Sequence, residues 1–302
     1  MKRALKWLGG VMLAAVVLTG VVCGGAYARA MNKVTRRWSV QPSAVAIPQL
    51  DEAGLKEGGR LFGARGCRKC HGDDAAGALI LDEALLGTVY GANLTRGAGS
   101  AVANYSDVDW VRTVRHGIKP DGLPTQVMDS KEYQFMTDGD LGMILAYLKS
   151  VPAVDRANPP LRITALSYVF HGLDWLDVTT ADQVDHERKH EAEPTPSAAP
   201  EFGKYVLRLQ CQGCHGETLS GGKLSGAPGL PIPPNLTPDV ETGLGKWTYA
   251  DFANAMRTGK RPDGRMIDTF MPWDAYASMS EDELTAVWTY LRAQPARKFG
   301  GR

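Results

Sequence analysis

The stretches "GCRKCHGDD" at Gly66–Asp74 and "QCQGCHGET" at Gln210–Thr218 place Cys-x-x-Cys-His twice in one chain of 302 residues. Their first cysteines, Cys67 and Cys211, stand 144 positions apart. The likeness extends beyond the motif, which makes it an internal repeat. A helix-like run precedes each copy, "GLKEGGRLFGARG" at Gly54–Gly66 and "EFGKYVLRLQCQG" at Glu201–Gly213. An Asn-Leu-Thr follows each, at Asn93–Thr95 and Asn235–Thr237. Next come "YSDVDWVRTVRHGIKPDG" at Tyr105–Gly122 and "WTYADFANAMRTGKRPDG" at Trp247–Gly264, which match aromatic for aromatic and end in Pro-Asp-Gly. Each reads as a short amphipathic helix stopped by Gly117 or Gly259.

Each copy closes on a further helix, "TDGDLGMILAYLKS" at Thr137–Ser150 and "SEDELTAVWTYLRA" at Ser280–Ala293. Ser280 with Glu283 is a full capping box, and Thr137 with Asp140 a weakened one. Leu141, Ile144, Leu145 and Leu148 recur at helical spacing, as do Leu284, Val287, Trp288 and Leu291. No convincing alternating strand pattern is present. The chain therefore reads as all-α, with helical domains over 47–152 and 199–298. The linker at 153–198 divides into an apolar part, Leu161–Val178, able to dock on a domain, and a charged, Pro/Ala-rich tether at Asp185–Glu201.

Lys+Arg and Asp+Glu total 34 and 33, so no basic surface argues for nucleic acid. Residues 1–45 nevertheless hold seven Lys or Arg and no acid. Lys2, Arg3 and Lys6 precede an uncharged run from Trp7 to Ala28, which is long enough to span a bilayer. Ala26-Tyr27-Ala28 is also a signal-cleavage pattern. Two readings stay open. Residues 1–30 form a single-pass anchor in a bacterial inner membrane, followed by a juxtamembrane segment at 31–46. Alternatively, cleavage near Ala28 leaves a soluble periplasmic protein. Both export the two domains.

Of five cysteines, Cys23 lies in the apolar run and four lie in the motifs. A thioredoxin-like dithiol would need a βαβ context that is missing, and a four-Cys zinc site would leave both histidines unexplained. Covalent haem attachment uses all three residues: two thiols bond one edge of the ring, and the adjacent His reaches the iron.

These residues resemble tandem class I cytochrome c domains, as in the dihaem c-type cytochromes of bacterial membranes and periplasm. "LAYL" at Leu145–Leu148 and "WTYL" at Trp288–Leu291 resemble that family's C-terminal helix. Gly59 with Phe62, and Gly203 with Val206, resemble the N-terminal helix it crosses. The resemblance implies two covalently attached haem c groups, on Cys67, Cys70 and His71 and on Cys211, Cys214 and His215. It also implies a Met on the opposite face of each iron. Met128 lies 57 residues after His71, Met271 lies 56 after His215, and each has a Tyr five residues on. They are the expected ligands, with Met136 and Met266 as runners-up. "FMPWDAY" around Met271 matches the family's ligand loop, whereas "VMDSKEY" has Asp129 in place of Pro. The family's proline carbonyl that orients the haem His is not identifiable in the first copy. Pro228, Pro231, Pro233 and Pro234 are candidates in the second.

Arg115, Arg257 and Trp247 are candidate propionate partners, and His116 reads as surface or propionate-side. His186 and His190 read as solvated tether residues with the spacing of a weak metal pair. The implied function is electron transfer on the periplasmic side. Expected partners are membrane lipid at the N-terminal helix and a redox donor and acceptor, such as a dehydrogenase or respiratory complex. The alternative is a catalytic dihaem enzyme, peroxidase-like or thiosulfate-oxidising, with a labile ligand near Met128.

Overall fold

The computed structural model describes residues 2–188, 194–223 and 231–301. A long helix, α1 (Lys2–Thr35), opens the chain. The first repeat then supplies α2 (Glu52–Ala64), α3 (Cys67–His71), α4 (Asp107–His116), α5 (Ser130–Tyr133) and α6 (Asp138–Ser150). After α7 (Ala165–Gly172), the second repeat supplies α8 (Pro200–Gln210), α9 (Gln212–His215), α10 (Tyr249–Thr258), α11 (Trp273–Tyr276) and α12 (Glu281–Ala293). The helices start and stop where local chemistry dictates. Ser106 with Asp109, and Thr248 with Asp251, form capping boxes on α4 and α10. Gly117 and Gly259 end those helices with φ of 66° and 69°, a conformation that costs glycine little.

In each domain the first helix crosses the last, α2 on α6 and α8 on α12. The crossing is close: a Cβ on Gly203 would lie 2.1 Å from the Ala286 carbonyl oxygen. Phe62, Leu141, Leu145 and Leu148 fill the first core, and Val206, Leu284, Val287 and Leu291 the second. The cores also reach into one another. Ala64 of α2 belongs to the second cluster, and Leu209 of α8 to the first. The two repeats thus share a packed interface.

The architecture is mostly helical, but the sequence reading missed one feature. Strands β1 (Leu79–Glu83), β2 (Gly87–Tyr90) and β3 (Arg162–Ile163) form an antiparallel sheet in the order β1-β2-β3. These strands are short, and β1 is largely exposed with a register shift between Leu79 and Leu81. Only β2 alternates between buried and half-buried positions, over four residues, too short a run to read as a strand from the sequence.

The segment after β3 docks on both α1 and the first domain. α7 lies along α1, and Lys33 of α1 pairs with Asp174 and Asp182 at 3.1 and 3.0 Å. Val127 N–H donates to the Val178 carbonyl at 2.8 Å, and Thr180 Oγ1 donates to the Met128 carbonyl at 3.1 Å. The loop holding Met128 is thereby covered by the segment that contacts α1.

Candidate cofactor sites

Both Cys-x-x-Cys-His motifs are single helical turns that end on a glycine. Gly66 enters α3 with φ of 82°, and Gly72 and Gly216 leave α3 and α9 with φ of 77° and 82°. One turn places the two thiols and the imidazole on neighbouring positions. None of the five cysteines is in a disulfide. Burial pushes Cys67 and Cys211 up to about 12. Among the described residues no group of three or more His, Cys, Asp or Glu is arranged to hold a metal ion.

The two histidines are oriented alike. His71 Nδ1 lies 2.9 Å from the Ala92 carbonyl oxygen, and His215 Nδ1 lies 2.9 Å from that of Pro234. Donation from Nδ1 fixes the tautomer and leaves Nε2 with its lone pair. Proline is therefore not required in the first copy: Ala92 supplies the equivalent carbonyl. The readable signal was position, since each acceptor directly precedes Asn-Leu-Thr. Those asparagines hold the carbonyl in place. Asn93 Oδ1 accepts from Thr95 N at 2.9 Å and Thr95 Oγ1 at 2.8 Å, while Nδ2 donates to the Val154 and Arg156 carbonyls. Asn235 repeats this with Thr237, and its Nδ2 donates to the Arg297 carbonyl at 2.7 Å. Each loop is thus tied to the chain just beyond its closing helix.

In the second domain Cys211, Cys214, His215 and Met271 line one cavity of about 350 Å³, together with Trp247 and Phe252. Met266 also lines it but is 60% exposed. In the first domain Met128 is half-buried, and Cys70 is raised by burial, against which Lys69 acts, with the charge of Asp129 raising it further. Met136 is 1% exposed and packs in the core, the position Met279 takes in the second domain.

The helix arginines serve these methionine loops. Arg115 Nη2 donates to the Met136 carbonyl at 2.7 Å, and Arg257 donates to the Ala277 and Met279 carbonyls. Arg115 is 1% exposed and keeps two buried donors, Nε and Nη1, without a hydrogen-bond partner among the described residues. Trp247 lines the second cavity. His116 corrects the sequence reading: it is 8% exposed, and its Nδ1 lies 3.1 Å from Nδ1 of His186. His186 therefore meets a domain histidine, while His190 and Pro228 lie outside the described residues.

An apolar cavity, two thiols on one helical turn and an imidazole whose Nδ1 is held by a backbone carbonyl fit a covalently bound tetrapyrrole, and the spare Arg115 donors fit an acidic substituent. The class is a haem-binding redox protein. The cytochrome c family pattern matches residues 55–152 and again 201–295, and the chain belongs to that family, whose haem c is covalently attached. Over 283 residues it is 26% identical to the cytochrome c subunit of the quinone alcohol dehydrogenase of Gluconobacter oxydans strain 621H, covering 85% of this chain and 58% of that protein. Over 284 residues it is 27% identical to the gluconate 2-dehydrogenase cytochrome c subunit of Pantoea cypripedii, covering 84% and 63%. A dihaem cytochrome c-type protein of Cereibacter sphaeroides is 32% identical over 95 residues, covering 28% of this chain and 32% of that protein. The chain thus spans about three-fifths of the length of the first two relatives.

Proposed function

We propose that this chain is a dihaem electron-transfer cytochrome c without catalytic activity of its own. Cys67, Cys70, His71 and Met128 would hold one haem c. Cys211, Cys214, His215 and Met271 would hold the other. Bound haem supplies a one-electron iron couple, whose potential Met/His ligation raises. The protein's part is to hold each imidazole in one tautomer, close the opposite face with a thioether and exclude water. A closed coordination sphere suits electron passage and gives substrate no iron position. The observation that carries this reading is the duplicated constellation, in which each His donates to a loop carbonyl and each repeat has its own methionine at matched spacing.

Helix α1 supports a membrane location. Over Arg3–Thr35 it holds an 18-residue window with a mean hydropathy of 2.1, and residues 3–22 are exposed on all sides. Lys2, Arg3 and Lys6 favour a cytoplasmic N-terminus and therefore periplasmic haem domains. Two of the named relatives are cytochrome subunits of dehydrogenases. We take the partner to be a periplasm-facing dehydrogenase or respiratory donor, with a separate electron acceptor. The test is haem quantification per chain in membrane and soluble fractions, combined with cyanide addition to the oxidised protein. Two haems per chain, membrane retention and no rapid spectral change are expected. One haem, or fast cyanide ligation, contradicts it.

A further inference from the structure

We propose that the β1–β2 hairpin tip and α7 form a second membrane contact, seated in the headgroup–acyl boundary of the bilayer that α1 crosses. This rests on the reading of α1 as an anchor. From Trp7 to Tyr27 an α-helix rises about 30 Å, the thickness of the hydrocarbon core. Trp and Tyr at those two ends match the aromatic belts of membrane helices. The bilayer surface on the domain side therefore falls near Tyr27.

The soluble part of the protein begins at that level. The first buried stripe of α1 is Ala26, Ala30 and Val34, 6%, 0% and 6% exposed. α7 lies against it so closely that a Cβ on Gly172 would stand 1.8 Å from the Ala26 carbonyl oxygen. Arg29 bonds the Gly172 carbonyl and Asp174, and Tyr27 meets Tyr168 edge-on at 6.0 Å. Ser167, His171 and Gly172 are buried, while Leu166, Val169, Phe170 and Leu173 share the outer face, from half-buried to exposed. Trp175, 42% exposed, packs on Phe170 at 5.6 Å.

The hairpin tip is fixed to the first turn of α7. Thr164 Oγ1 donates to the Leu85 carbonyl at 2.6 Å, and Ser167 Oγ donates to that of Leu86 at 2.7 Å. A hairpin tip is ordinarily built of Gly, Asn or Asp. This one presents Leu85 at 71% exposure, near Leu161 and Leu166 at 40% and 37%. Leu85, Leu161, Leu166, Tyr27 and Trp175 are thus exposed apolar side chains on elements tied to one another and to α1 at the level of Tyr27. Interfacial helices present this arrangement to lipid. Through Val178 and Thr180 the same segment holds the Met128 loop, so the contact fixes the first domain against the membrane.

The full haem-loaded chain would be placed in phosphatidylcholine–phosphatidylglycerol vesicles with a carbene-forming photolabel confined to the bilayer, then mapped by peptide mass spectrometry. Label is expected in 3–25 and, severalfold above the peptides of α10, in 79–90 and 161–176. A Leu85→Ser/Leu166→Ser variant should lose the latter label severalfold, with 3–25 and the visible spectrum unchanged. Label in 3–25 alone overturns the second contact and leaves the anchor standing. Absence of label from 3–25 overturns the anchor itself. Protection of 79–90 and 161–176 in native membranes, without label in vesicles, assigns the patch to a protein partner and overturns the proposal.

Discussion

The Arg65 guanidinium and the Glu283 carboxylate lie 2.7 Å apart, with side chains 0% and 1% exposed, although one precedes the first motif and the other begins the last helix. Arg65 Nε also meets Asp140 at 2.7 Å. Asp140 and Glu283 occupy the same position in the two repeats, the third residue of the closing helix. One buried arginine therefore bridges two equivalent carboxylates. Arg60 adds a second cation at 2.5 Å from Glu283, and the Tyr205 hydroxyl donates to Asp140 at 2.7 Å. Arg60 is shared with Glu57, which lies 2.6 Å away. Asp140 is turned toward Arg65 and Tyr205, which accounts for the incomplete capping box on α6.

Arg65→Met leaves Asp140 with only the Tyr205 hydroxyl and Glu283 with only Arg60 as side-chain partners, and breaking a buried pair costs about 3–5 kcal/mol. Calorimetry should show the domains unfolding separately and at lower temperature, with both haem spectra retained. Arg65→Lys should fail to restore the wild-type transition, because a single ammonium lacks the planar fork that reaches both acids. An unchanged single transition in Arg65→Met contradicts the clamp.

Acid should open the same interface. Burial raises the Glu283 carboxyl, but Arg65 and then Arg60 outweigh it and hold it below the ordinary glutamate value. A carboxylate lowered in the folded state stabilises fully above its unfolded value of about 4.3, and this contribution fades as pH falls through the lowered one. Denaturant midpoints of the wild type should fall more steeply below pH 5 than those of Glu283→Gln. Parallel curves count against the assignment.

The His116–His186 contact is a second pH-dependent tie, holding the linker to α4. Burial lowers His186, with Asp185, Arg36 and Glu187 as the nearby charges. A histidine lowered in the folded state stabilises above its ordinary value of about 6.5 and loses that contribution as pH falls through the lowered one. Hydrogen exchange at 184–188 should quicken between pH 7.5 and 5 after correction for intrinsic rates. His186→Gln should remove most of that change; an unaltered dependence assigns it elsewhere.

Asn93→Ala and Asn235→Ala each leave buried groups unpaired, at a cost of about 1–3 kcal/mol. Each also loosens the carbonyl that receives the histidine Nδ1 proton. Weaker donation to the iron should raise the reduction potential of the altered domain alone. Spectroelectrochemistry that shows both potentials unmoved, or both moved equally, contradicts this role for the asparagines.

The repeat, the motif helices, the caps and the closing helices were legible in the sequence, because each is a local pattern. Ala92 was not, because an orienting carbonyl can come from any residue and only its place before Asn93 marks it. Arg65 was not, because its partners come from both repeats and pair only after the domains pack. The β1–β2 hairpin was missed because its strands are too short to read as such, and Leu85 at its tip mimics a core residue. His116 was misread because its partner, His186, is 70 positions away on a charged tether.

The central claim is two separate His/Met haem sites, and a redox titration of the full chain beside Met128→Ala and Met271→Ala tests it most directly. Two one-electron steps are predicted for the wild type. Each variant should lower one step only and remove part of the Met–iron charge-transfer band. Potentials and band left intact in either variant would contradict the ligand assigned at that site.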